Sequence, residues 1–289
     1  ARRSARRAGT DDRRRDVRAC FGVDLAWGEG SAARAANETG LVQLAADGSV
    51  RDAGWARGVD AVAGWLVERM APGDVVAIDA PLVVTNERGI RESEREVGQR
   101  YGRWKLAANP TNLGTRWLAG IVLRRRLEAS VTGFTGVSGA EPPAADRVSA
   151  FECYPYTTLV GAAELGYDVE RPRYKRPNLA LPAGERRAFR ARECDDLVER
   201  MSRLADADPP VDLRSHPLTA ALVDEPSPLA DAAYKHREDL LDAAICAWTA
   251  ALWARHGLAR CQVLGLDAGL DEQGRPSTIV APARPEQRR

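Results

Sequence analysis

The chain has 289 residues, 44% of them hydrophobic, enough to build the core of one large α/β domain or two small ones. With 42 basic against 41 acidic residues the net charge is +1, so no global charge announces a polyanionic partner, and a nucleic-acid surface has to come from local clustering. The cysteines form no C-x-x-C pair; Cys20, Cys246 and Cys261 lie in apolar runs, read as small core residues, and suit a reducing cytoplasm.

Residues 1–18 carry many arginines and almost no large apolar side chain, the composition of a disordered tail, and no apolar run of a secretory signal follows them. Order is expected from Cys20. CFGVDLAW reads as a first strand; ETGLVQLAAD and SVRDAGWA read as a second and third, joined at the turn Asp47-Gly48. VDAVAGWLVERM has apolar residues at helical spacing and stops at Ala71-Pro72-Gly73. DVVAIDAPL is a continuous apolar run between turn signals, the pattern of a strand buried on both faces. A polar helix is expected over 87–105 and another over 111–130, capped by Thr111 or Asn112. Residues 131–147 read as loop and VSAFECYPY as a strand. The Pro- and Arg-rich stretch 161–230, with one helix at 185–205, reads as an inserted substrate-facing region or lid. Residues 234–256 form a long helix, interrupted as an apolar run by Asp242 and too charged to span a membrane. QVLGLD is a last strand, RPSTIVAP a short hairpin arm, and 282–289 a flexible tail. The organisation expected is a single domain over 19–281.

Four acids lie in or at the end of apolar stretches: Asp24, Asp79, Glu152 and Asp242. A lone buried carboxylate is costly, and several that converge repel unless they share protons or hold a cation. Asp24 and Asp79 end strands that the meander-helix-strand order makes neighbours, and open α/β sheets keep their sites at strand carboxyl ends. Asp239 and Asp242, three apart, share one helix face. Such a set suits magnesium or manganese, hard cations that take carboxylate oxygens, with Asp24, Asp79, Asp239 and Asp242 as ligands and Asp24, Asp79, Glu152 and Asp242 as the catalytic acids. For Glu152 the competing reading is a buried salt bridge with an arginine. Lys235 and His236, one turn before the helix acids, could steady a phosphate or relay a proton, or be plain helix-surface groups.

Arg91, Arg95, Arg100, Arg103 and Lys105 form one basic cluster, Arg124–Arg126 a second, and Arg171, Arg173, Lys175 and Arg176 a third, with Tyr101, Trp104, Tyr167 and Tyr174 interleaved. Arginine beside aromatics suits phosphate contact and base stacking, which makes Arg91 and Arg95 candidate substrate contacts; a merely solvated Arg-rich surface is the alternative. There is no P-loop, no nucleophile elbow and no zinc spacing among His216, His236 and His256, and Gly28-Glu29-Gly30 lacks the third glycine of a dinucleotide fingerprint.

Taken in order, GVDLAW, AIDAPL, RESERE, FECYP and KHREDLLDAAICAWTA resemble domain-of-unknown-function family 429, over residues 20 to 281. The resemblance implies a ribonuclease H-like fold: a mixed five-stranded sheet, its second strand antiparallel, flanked by helices. It implies that Asp24 is the first-strand metal ligand, Asp79 the fourth-strand ligand and Asp242 or Asp239 the final-helix ligand; Glu152 matches the family's Glu-x-Tyr-Pro stretch. The family's Arg-x-Cys-Asp reads here as Arg91-Glu92-Ser93-Glu94, which keeps a charge and loses the cysteine. The expectation is a cytoplasmic, metal-dependent nuclease acting on DNA or RNA. A non-catalytic nucleic-acid or nucleotide-binding module of the same fold, and an ATP-dependent phosphotransferase, are the alternatives.

Overall fold

The computed structural model describes residues 19–28, 30 and 35–288, so the expected arginine-rich tail over 1–18 lies outside the described residues. Strands β1 (Ala19–Asp24), β2 (Glu38–Ala45) and β3 (Val50–Arg57) form an antiparallel meander. Helix α1 (Val59–Val67) then returns the chain, and β4 (Val75–Ile78) pairs in parallel with β1. β6 (Val148–Glu152) lies parallel beyond β4, and the short β5 (Phe134–Gly136) pairs in parallel at its outer edge. The order is β3-β2-β1-β4-β6-β5, a mixed six-stranded sheet with β2 antiparallel to both neighbours.

Strand pleating sorts the side chains into two cores, because neighbouring residues point to opposite faces. Phe21, Val23, Val76 and Ile78 face α1 and α3 (Ala119–Ser130). Cys20, Val42, Leu44 and Ala77 face α7 (Asp231–His256). The same core takes in α2 (Glu92–Tyr101), α4 (Pro155–Gly161), α5 (Arg186–Ser202), α6 (Pro217–Asp224) and a separate antiparallel pair, β7 (Cys261–Leu264) and β8 (Ile279–Pro282). By the same alternation Gly22 and Asp24 on β1, and Asp79 just beyond β4, point toward α7. Helix α7 comes unusually close: a Cβ built on Gly22 would lie 1.9 Å from the Ala243 carbonyl oxygen, and one on Gly40 would lie 2.0 Å from that of Asp239.

Four expectations are corrected. The sheet has six strands rather than five, since β5 lies inside the stretch read as loop; three residues are too few to show a period. The strand read over VSAFECYPY ends at Glu152, and Pro155 opens α4 at a position where its missing N–H is no loss. α3 begins at Ala119, and Thr111 does not cap it; the Thr111 backbone N–H instead donates to Glu94. The 161–230 stretch carries a second helix, α6, besides α5, and Cys194, Leu197, Val198, Met201 and Leu222 are buried in the main core. Beyond β8, Arg284 is buried and donates to the carbonyls of Val160 and Tyr167. Among the described residues no helix is long and apolar enough to cross a membrane.

Candidate functional site

At the carboxyl ends of β1 and β4, on the face that α7 covers, acids from three elements meet two lysines. The Asp79 backbone N–H donates to the Val23 carbonyl at 2.8 Å, which continues the parallel pairing by one residue and sets Asp79 beside Asp24. Gly40 is the register partner of Asp24 on β2, and its lack of a side chain lets the Asp239 turn of α7 sit directly over that pair. Asp242, one turn further along α7, is fully buried.

The ammonium of Lys175 stands between the acids, 2.7 Å from Asp242 Oδ2 and 3.7 Å from Asp79 Oδ2. The Tyr174 hydroxyl donates to Asp242 Oδ1 at 2.6 Å. Asp242 Oδ2 is buried and has the Lys175 ammonium as its ion-pair partner. Lys235 lies 2.6 Å from Asp239 and 3.0 Å from Glu238. Backbone anchors hold the Lys175 segment in place: Tyr234 of α7 donates to the Tyr174 carbonyl at 2.6 Å, and the Arg173 N–H donates to Glu193 of α5 at 2.8 Å.

Crowding of like charge in a poorly solvated place raises these acids. Asp79 is held well above the ordinary carboxyl range, chiefly by burial and then, against the relief from Lys175, by Asp24 and Asp242. Asp242 is raised by burial, and Lys175 offsets part of this. Asp239 is pushed up to about 8, first by burial and then by the Asp24 charge. Glu238 rises to about 7 by burial and the Asp242 charge. Burial disfavours the Lys175 ammonium, yet Asp242 and Asp79 outweigh it and hold its pKa well above the ordinary value. The sign for stability follows from where protons bind. Between the ordinary values of 3.8 and 4.5 and the raised values of about 8 and 7, the folded chain keeps protons that the unfolded chain has shed. Stability is therefore full below that window and falls as pH rises through it. We expect the melting temperature in EDTA to drop steadily across this range, and less so in Asp239→Asn; a flat profile in the parent chain would contradict this account of the cluster.

The remaining sequence candidates lie elsewhere. Glu152 shares the β6 face of Val148 and Ala150, opposite to that of Phe151, so it points away from α7. Its carboxylate is locked in a two-pronged pair with Arg91, at 2.6 and 2.8 Å, and also accepts from the Leu82 N–H. Glu152 therefore borders the cavity beside Asp79 but not the α7 face that Asp24, Asp79 and Asp242 share, and its pairing supports the salt-bridge reading. Arg91, taken above as a substrate contact, is 3% exposed, and its Nε bonds Glu94 at 2.8 Å. Arg95 is exposed and paired with Glu92. His236 stacks on Trp55 at 3.7 Å and bonds Glu38 at the outer strands, away from the Lys175 cluster. Tyr174 and Lys175 were visible only as members of a basic, aromatic run; no periodicity marks the segment, which precedes α5 and is held by both α5 and α7.

A family model described as "Protein of unknown function (DUF429)" matches residues 140–263. The matched part holds Tyr174, Lys175, Asp239 and Asp242, while Asp24 and Asp79 precede it. It agrees with the resemblance drawn from the motifs and extends over less of the chain. No curated protein and no solved structure matches the chain.

Proposed function

We propose that the chain is a divalent-metal-dependent hydrolase of phosphodiester bonds in nucleic acid, built on a ribonuclease H-like sheet. The observation that carries the reading is the convergence of Asp24, Asp79 and Asp242 from β1, β4 and α7 around the Lys175 ammonium. A mixed sheet with β2 antiparallel to both neighbours is what the resemblance implies, although the sheet has six strands rather than five. The residues present suit magnesium or manganese by their chemistry, since the donors are hard carboxylate oxygens gathered at a strand-end site. Among the described residues no three such groups already close around one point, because Lys175 holds the cation position between Asp79 and Asp242. An ion held by Asp24, Asp79 and Asp242 would compete with that ammonium. When bound, it would supply an activated water and charge stabilisation for in-line displacement. The chain's own lysines neutralise the acids and orient a phosphate.

Lys175 also favours a second reading, a nucleotide-binding module that uses an ammonium where an enzyme would use a metal. The two separate cleanly. The hydrolase reading expects manganese-dependent cleavage of a labelled oligonucleotide, lost in Asp24→Asn by more than the roughly 100-fold that an outer-shell partner costs. Equal cleavage by that variant, or calorimetry showing no manganese uptake at millimolar ion, would leave the binding module.

A further inference from the structure

A cavity of about 410 Å³ opens beside Asp79, large enough for one nucleotide-sized ligand. Its walls differ in charge. Asp79 lies on one, with Glu94 and Glu152 deeper in, where Arg91 pairs with both; the segment carrying Arg171, Lys175 and Arg176 forms the other, with Lys105 alongside. Lys105 holds a left-handed backbone at φ 61°, which a side chain other than glycine adopts at a cost and which is most often retained at sites of function. Glu170 engages Lys105 at 2.9 Å and Arg173 at 2.7 Å. No carboxylate among the described residues pairs with Arg171 or Arg176. The Arg171 guanidinium lies 4.7 Å over the Tyr156 ring and donates to the Lys105 carbonyl; Arg176 is exposed and makes no hydrogen bond or ion pair with the described residues. Trp27, 44% exposed, presents an aromatic face to the same space.

We propose that this cavity binds one nucleoside monophosphate unit, with its phosphate between Arg171 and Arg176 beside Lys175 and its base against Trp27. Two guanidiniums without a carboxylate partner match a phosphate dianion, and a half-exposed indole gives a base a stacking face. The unit is a free nucleotide or the end of a single strand, since a cavity of this size takes one unit and not a duplex. This names the substrate class of the hydrolytic site and rests on that reading for its phosphate chemistry. Its test is binding without metal, so the two fail separately: loss of cleavage with binding intact removes the hydrolase alone.

The experiment is calorimetric titration of the full chain in EDTA with adenosine monophosphate, adenosine, inorganic phosphate, a 5′-phosphorylated single strand and its blunt duplex. Adenosine monophosphate should bind, with adenosine and inorganic phosphate each at least about tenfold weaker. Arg171→Ala and Arg176→Ala should each weaken the nucleotide by about tenfold, the scale of one charge-assisted contact. Trp27→Ala should weaken the nucleotide and leave inorganic phosphate unchanged. Competition by the single strand assigns the unit to a strand end; no competition assigns it to a free nucleotide. Undetectable nucleotide binding, equal affinity in the double arginine variant with an unchanged melting temperature, or preference for the duplex overturns the proposal.

Discussion

Gly22→Ala will cost roughly 4 kcal/mol or more, or prevent folding, although it adds one methyl group. The reason is what the methyl meets. Its Cβ would lie 1.9 Å from the Ala243 oxygen, 2.2 Å from the Ala247 nitrogen and 2.9 Å from the Ala247 Cα. These are backbone atoms in the middle of α7, and no rotamer change relieves them. Ordinary overpacking, near 1–3 kcal/mol, assumes side chains that can yield. Here a 26-residue helix must lift from the sheet, and it carries Asp239 and Asp242 away from Asp24 and Asp79. Urea titration followed by circular dichroism checks this, the midpoint falling at an unchanged slope. Gly54→Ala is the control: nothing lies within 4 Å of its Cβ, and the change should stay within about 1 kcal/mol. If Gly22→Ala proves as stable as Gly54→Ala, α7 does not sit where the site requires it.

That close approach explains how much of the fold was legible. The meander, the first helix and the buried fourth strand each carry a local signal, a turn residue or a period, and the structure has them in that order. The pairing of β1 with β4 follows from connection rules, and with it the adjacency of Asp24 and Asp79. β5 was not legible, because three residues have no period. The start of α3 was misplaced because Thr111 resembles a cap, whereas its N–H serves the Glu94 carboxylate. Such a choice is made by tertiary contacts, which no local window contains.

The site divides in the same way. Asp242 stood out as an acid among Leu241, Ala243 and Ala244, and burial bears out that contrast. Glu152 stood out for the same reason, but it faces the other side of the sheet and is paired with Arg91. A strand buried on both faces is apolar at every position, so the alternation that would have assigned Glu152 to the α3 side is hidden. Lys175 was harder still. Its run RPRYKRP carries neither helical nor strand spacing, and Tyr234 and Glu193 hold the backbone of the two residues just before Lys175. Charge composition identified the segment as basic; only long-range contact shows that one of its cations faces inward to the acids while Arg171 and Arg176 stay unpaired with carboxylates.

Arg91→Met separates a structural arginine from a substrate contact, and its effect should be the larger part of the protein's stability margin. Arg91 holds two buried carboxylates at once, Glu94 at 2.8 Å through Nε and Glu152 at 2.6 and 2.8 Å through its two terminal nitrogens, and donates to the Val83 carbonyl at 3.2 Å. A methionine fills much of the volume and supplies no charge. Removing one partner of a buried ion pair costs about 3–5 kcal/mol because the other is left uncompensated. Glu94 keeps the N–H groups of residue 91 and Thr111, while Glu152 keeps only that of Leu82, so Glu152 bears most of the loss. Burial already raises the Glu152 carboxyl against the pull of Arg91, and without the guanidinium it should take a proton more readily still. The deficit of Arg91→Met should accordingly be largest at high pH and shrink in acid, and adding Glu152→Met should return part of it. Arg91 borders the nucleotide cavity, but its nitrogens are taken by Glu94, Glu152 and the Val83 carbonyl, so nucleotide affinity measured on the folded fraction should fall far less than in Arg171→Ala. A variant with parental stability and lost affinity would show instead that the guanidinium reaches the ligand, and that the pair with Glu152 opens when the cavity is filled.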